Sequence, residues 1–125
     1  MKRAILIVDH GSKRAEANAA LEEVAALVRR ALPGAIVRHA HMDLAAPDLA
    51  EAFAACVAEG AEEVVIHPYF LGPGNHTTHD IPRLAADAAA RHPGVAVRIT
   101  DPLGVHPKIG EVIVDRIRKA RPLGS

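Results

Sequence analysis

Four short apolar runs alternating with four helical patterns predict an α/β fold: a doubly wound, four-stranded parallel sheet with helices on both faces. The first run, Ala4–Val8, is continuous rather than alternating, as in a strand buried on both sides. Right-handed crossovers leave few arrangements for four strands, and the order 2-1-3-4 is the one expected. A length of 125 residues fits one domain, expected over 1–120, with 121–125 as a frayed tail.

The first strand is expected at Ala4–Val8, the second at Ala35–His41, the third at Glu63–Tyr69 and the fourth at Val95–Thr100. Leu21, Val24, Ala25, Val28 and Leu32 mark the apolar face of the first helix, and Leu49, Ala52, Phe53 and Cys56 that of the second. Ile81, Leu84, Ala85 and Ala88 mark the third, and Ile109, Val112, Ile113 and Ile117 the fourth. Pro47, Pro82 and Pro107 fall where first turns should be, because proline lacks the N–H that would go unpaired there. Asp80 is the expected N-cap of the third helix. Gly34, Gly60 and Gly94 are the expected stops after the first three helices.

Composition excludes several functions. Fifteen basic residues balance fifteen acidic ones, so no general attraction to nucleic acid or to an anionic membrane is expected. Aromatic residues are 2% of the chain, too few for a base-stacking platform. The lone cysteine, Cys56, allows neither an internal disulfide nor a zinc ribbon, which points to a reducing compartment, most simply the cytoplasm. No apolar run approaches the ~20 residues of a membrane span. Neither a P-loop nor a G-x-G-x-x-G fingerprint is present.

In an open parallel sheet, ligands bind beyond the carboxyl ends of the strands at the switch point, here between the first and third. The loops in question are Asp9–Arg14 and Phe70–Asp80. Each carries a histidine, His10 and His76, able to face one crevice. Gly11 lets the backbone pass close to a ligand, although a strand-end histidine bonded to main chain is an equally simple reading of His10. His76 and His79, three apart, are alone a weak metal signal, since ligands must converge in space. Phe70 and Leu71 carry apolar character into a long loop turned by Gly72-Pro73-Gly74, which suggests a flat apolar ligand or a partner subunit. Asp43 lies just beyond the second strand, where a carboxylate can attract a cation or accept a proton. His67 reads as structural, His92 as solvated and His106 as a cap.

These residues resemble a family. Val8-Asp9-His10-Gly11-Ser12, Ala40-His41-Met42-Asp43-Leu44-Ala45 with Pro47, and Pro68–His76 leading into Asp80-Ile81-Pro82 are similar to the small class II tetrapyrrole chelatases. Thr100, Pro102-Leu103-Gly104 and Asp115-Arg116-Ile117 continue the likeness along essentially the whole chain. It is nearest to sirohydrochlorin ferrochelatases and also resembles the cobaltochelatases of the anaerobic cobalamin route.

The resemblance implies a chelatase-like fold and ATP-independent insertion of Fe2+ or Co2+ into sirohydrochlorin, for siroheme or cobalamin. The metal is then a substrate, and no permanently bound cofactor is expected. His10 and His76 become catalytic residues and metal ligands, with Asp43 in the place of a family glutamate. Met42, Phe70 and Leu71 would lie against the macrocycle; Ser12, Lys13, Arg14 and Gly74 would complete the substrate contacts. A homodimer is expected, because larger members carry two such domains facing each other and the apolar loop Tyr69–Gly74 needs cover. A metal or tetrapyrrole carrier without turnover, or a nickel-inserting relative, is the alternative.

Overall fold

The structure, a computed structural model, describes residues 1–124, with His76 described by its backbone alone. Chain order is β1 (Arg3–Asp9), α1 (Ala15–Ala31), β2 (Ile36–His41), α2 (Leu49–Ala58), β3 (Glu63–Pro68), a π-helical turn (His76–Asp80), α3 (Ile81–Arg91), β4 (Ala96–Ile99) and α4 (Pro107–Arg118). All strand pairs are parallel and the order is β2-β1-β3-β4. Strand ends fall within one residue of the sequence expectation. Residues 121–124 follow α4 without helix or strand, and Ser125, the last of the expected tail, lies outside the described residues.

Two cores sandwich the sheet. Ala4, Leu6, Val8, Ala40, Val64 and Ile66 face Leu49, Phe53 and Cys56 of α2 and Ile81, Ala85 and Ala88 of α3. On the other side Ile7 and Val37 meet Leu21 and Ala25 of α1. Fully burying a side chain such as Phe53 or Leu6 stabilises the fold by about 1.5–3 kcal/mol. Alternate residues of β1 supply the two cores, which is why its run Ala4–Val8 carries no polar face.

Several local expectations are corrected. Helix α2 is capped by Asp48, whose carboxylate accepts from Glu51 N at 2.8 Å while Glu51 Oε1 accepts from Asp48 N at 2.9 Å. Pro47 therefore precedes the cap instead of opening the helix, and its carbonyl accepts from His41 N. Asp80 does not cap α3 with its side chain, because the π-helical turn runs directly into that helix and leaves Asp80 in helical conformation. Gly60 takes the left-handed conformation expected of a helix stop, with φ of 96°, whereas Gly34 and Gly94 do not. Pro82 and Pro107 do sit in first turns. The predicted apolar face of α4 is present, but none of its residues is fully buried and only Ile109 is partly so.

Candidate functional site

The ends of β1 and β2 stay paired beyond the strands. Met42 N donates to Asp9 O at 2.9 Å and Asp43 N to His10 O at 3.0 Å. Gly11, with φ of 93°, sits where a Cβ would lie 1.9 Å from Asp43 O, so only glycine allows this approach. His10 is half-buried at the rim so formed, with Nδ1 3.2 Å from Gly11 O. An Nδ1–H donated to that carbonyl puts the ring's lone pair on Nε2.

Asp43 is brought beside His10 by this backbone pairing. Its side chain is exposed and accepts from Leu44 N at 2.8 Å, helping to hold Leu44 at a φ of 68°. Met42 and Phe70 each pack, partly buried, against the larger core. Phe70 is tied to the segment after β4, its carbonyl accepting from Leu103 N at 3.0 Å. Leu71, by contrast, is 73% exposed. Gly74 closes the loop locally, its N donating to Thr77 Oγ1 and its carbonyl accepting from Thr78 N.

The remaining expected contacts are more dispersed. Ser12 anchors the start of α1: its N and O bind the Asn18 side-chain amide, and its hydroxyl accepts from Arg14 N. Arg14 is bonded to neighbouring Glu16, both exposed, so its charge is directed along its own helix. Lys13 is exposed. The backbone of His76 opens the π-helical turn, and the part expected of its side chain lies outside the described residues. Among the described residues no group of three or more His, Cys, Asp or Glu side chains could hold a metal ion.

One pair escaped the sequence reading. Beneath the rim, His41 is 1% exposed and donates from Nδ1 to Asp9 Oδ1 at 2.6 Å. The signal was available, since β1 and β2 are neighbours and Asp9 and His41 both end them. His39 lies beside His41, with ring centroids 5.6 Å apart. Burial lowers the pKa of His39, against the opposing pull of Glu22 at 3.6 Å.

Three further histidines have structural roles, whereas His79 is exposed in the π-helical turn. His67 donates from Nδ1 to Thr100 Oγ1 at 2.7 Å while that hydroxyl donates to Asp101 O, tying the end of β3 to the strand beside it. Burial lowers the pKa of His67. His106 caps α4, its Nδ1 accepting from Lys108 N at 3.0 Å. His92 is not merely solvated: it ends α3 with its ring 5.3 Å from that of Phe53. No described helix is long and apolar enough to cross a membrane.

A 2-1-3-4 parallel sheet with a histidine pinned at the end of its first strand defines a small ligand-binding protein of the doubly wound α/β class. The chain belongs to the CbiX family, whose sequence profile matches residues 4–120. It is 47% identical over 114 residues to the chloroplastic sirohydrochlorin ferrochelatase of Arabidopsis thaliana, covering 91% of this chain and 51% of that protein. It is 33% identical over 121 residues to the sirohydrochlorin cobaltochelatase of Saccharolobus solfataricus, covering 92% of this chain and 93% of that protein. Among solved structures it is similar to the sirohydrochlorin chelatase SirB of Bacillus subtilis subspecies spizizenii in complex with cobalt. The TM-score is 0.89 at 28% identity, over 95% of this chain and 51% of that one. The chain thus spans about half the length of some relatives and nearly all of others.

Proposed function

We propose that this chain inserts Fe2+ or Co2+ into sirohydrochlorin without ATP. The observation that carries this reading is the pinned His10 rim, on a chain of the CbiX family similar to both ferrochelatases and cobaltochelatases. Both metals accept imidazole nitrogen readily. Insertion displaces two pyrrole N–H protons, and neutral imidazole is a base suited to taking them near neutral pH. His10 and His76 together present the metal and receive the protons. Two neutral ligands release a cation more easily than a closed four-ligand cage. Asp43, exposed beside His10, draws the cation in and has a secondary part. Phe70, Leu71 and Met42 offer the apolar wall for the macrocycle face, with Lys13, and Arg14 once it leaves Glu16, for its carboxylates.

A macrocycle is broad, and the exposed Leu71 calls for cover, so two copies are proposed to form the working unit. The buried, unpaired Cys56 supports a reducing compartment such as the cytoplasm.

Visible absorbance of sirohydrochlorin mixed with Co2+ tests the activity. Multiple turnovers are expected; a single stoichiometric burst would instead identify a carrier. His10→Ala and His76→Ala should each remove most insertion, by about 100-fold or more, while circular dichroism stays native. The double variant should be little worse than the worse single one, because residues acting as a unit are non-additive.

A further inference from the structure

Among the described residues, Glu63 and His41 are the buried side chains that are polar or charged. Glu63 pairs with the exposed Arg3 at the amino ends of β1 and β3, the end of the sheet away from the crevice. His41 lies at the carboxyl end, beneath the rim, with its Nδ1–H given to Asp9 Oδ1 at 2.6 Å. Two apolar groups of similar shape could fill this register with little or no loss of stability, because a buried polar pair returns little beyond the cost of taking it out of water. The pair therefore calls for a reason other than stability, and its place in the sheet supplies one.

Asp9 and His41 form the last register of β1 against β2. His10 follows Asp9 directly, and Asp43 follows His41 by two residues. The Gly11 turn crosses between them, and a Cβ there would lie 3.0 Å from His41 Cβ, so the turn rests on the His41 side chain. The Gly11 carbonyl in turn lies 3.2 Å from His10 Nδ1 and orients that ring. A line of contact thus runs from Asp9 through His41 and Gly11 to His10. His39 packs edge to face against His41, ring centroids 5.6 Å apart, with its own Nε2 3.6 Å from Glu22 of α1. Main-chain bonds from Met42 to Asp9 and from Asp43 to His10 hold the strand ends together. The side-chain bond adds a fixed direction across them, which an apolar contact does not have.

We propose that Asp9 and His41 are positioning residues for metal insertion: their hydrogen bond sets the Gly11 turn, and through it the direction in which His10 presents Nε2 beside Asp43. This rests on the insertion reading above and adds two residues to it. His41 is too deeply buried to meet metal or macrocycle, so its part is played through Gly11 and His10. A reacting group displaced by about 1 Å can lose about 100-fold in rate. Partners that orient a metal-binding side chain are typically worth about 10–100-fold.

Two variants separate the hydrogen bond from the packing. Asp9→Leu with His41→Leu fills the space with apolar groups, whereas His41→Asn keeps an N–H where Nδ1 stood and leaves a void. Each is followed by urea denaturation, by Co2+ insertion into sirohydrochlorin, and by the visible bands of Co2+ titrated into the chain alone. The leucine pair is expected to be as stable as wild type, with kcat down about 10–100-fold and KM for sirohydrochlorin within about twofold. Its cobalt bands, which report the arrangement of ligands around the ion, should be altered. His41→Asn is expected to be less stable, yet to insert cobalt within about fivefold of the wild-type rate and with wild-type bands. Rate then follows the bond while stability follows the packing. A leucine pair that inserts cobalt at the wild-type rate with unchanged bands would overturn the proposal, and so would His41→Asn as slow as the leucine pair. If the leucine pair fails to fold, His41→Gln takes its place: its amide reaches the Nε2 position and not Nδ1, so it should be slow where His41→Asn is fast. Equal rates for those two would also overturn the proposal. Should wild type itself show no turnover, the insertion reading falls, and the cobalt bands alone decide the positioning: altered in the leucine pair they support it, unchanged they overturn it.

Discussion

The two loops expected to carry the site are built in opposite ways. At the ends of β1 and β2, residues more than thirty positions apart are fastened by main-chain bonds, Met42 to Asp9 and Asp43 to His10, around a glycine that admits no side chain. The loop before α3 is tied to the segment after β4 only at its start, through Phe70 O and Leu103 N; farther along, Gly74 bonds to Thr77 and Thr78, and Leu71 is exposed. One wall of the crevice is set by the sheet and the other, past Phe70, by a locally closed turn. A planar ligand that must enter and leave is served by such a pairing, because one side holds position while the other can adjust without disturbing the core.

The strongest way to test this contrast is a pair of glycine substitutions. Gly11→Ala combines a positive φ with a contact of 1.9 Å to Asp43 O, and should cost about 3 kcal/mol or more in urea denaturation. Gly74→Ala meets nothing within 4 Å and should change stability by less than about 0.5 kcal/mol. Equal costs would erase the distinction between the loops.

Next in size is Asp9→Asn. The buried His41 loses its carboxylate partner, so unfolding free energy should fall by about 1–3 kcal/mol. Thr77→Val, in the exposed bonds of the other loop, should stay within about 0.5 kcal/mol of wild type. Smaller again is the effect of Asp43→Ala on insertion, a loss within about tenfold, or 1.4 kcal/mol of barrier. Asp43→Glu should retain or raise the rate. An unchanged rate and metal dependence in Asp43→Ala would remove Asp43 from the site.

The smallest effect concerns pH. His39 and His67 have pKa values lowered by burial, so the unfolded chain binds protons that the folded one refuses. Stability should therefore rise with pH through the window just below the ordinary histidine value of about 6.5 and level off above it. Denaturant titrations at several pH values should show this slope, and His39→Gln should flatten it in part.

Much of this architecture was legible because it rests on local patterns. Short apolar runs between helical patterns located the strands, and the handedness of crossovers left 2-1-3-4 as the natural order. That order in turn placed His10 and Asp43 on one edge. The Asp9–His41 bond was missed because the sequence placed both residues near the ends of neighbouring strands but not the register that sets them directly opposite each other. Asp80 misled because a residue type preferred at caps says nothing of a π-helical turn arriving from the other side. For α4, periodicity announced a face to be buried but not the surface that would bury it.

Cys56 packs in the α2 core with no exposed surface, and its thiol is pushed up to about 11 by the lack of solvent around it. At neutral pH it stays protonated, and a protonated thiol is a poor ligand. Thiolates are the soft donors that bind late first-row ions most tenaciously, and a competing one near the rim would retain the cation that the histidines have to surrender. By sealing away its single sulfhydryl, the fold keeps thiolate off the proposed metal-handling surface, a choice of donors that favours exchange of an ion there over its sequestration.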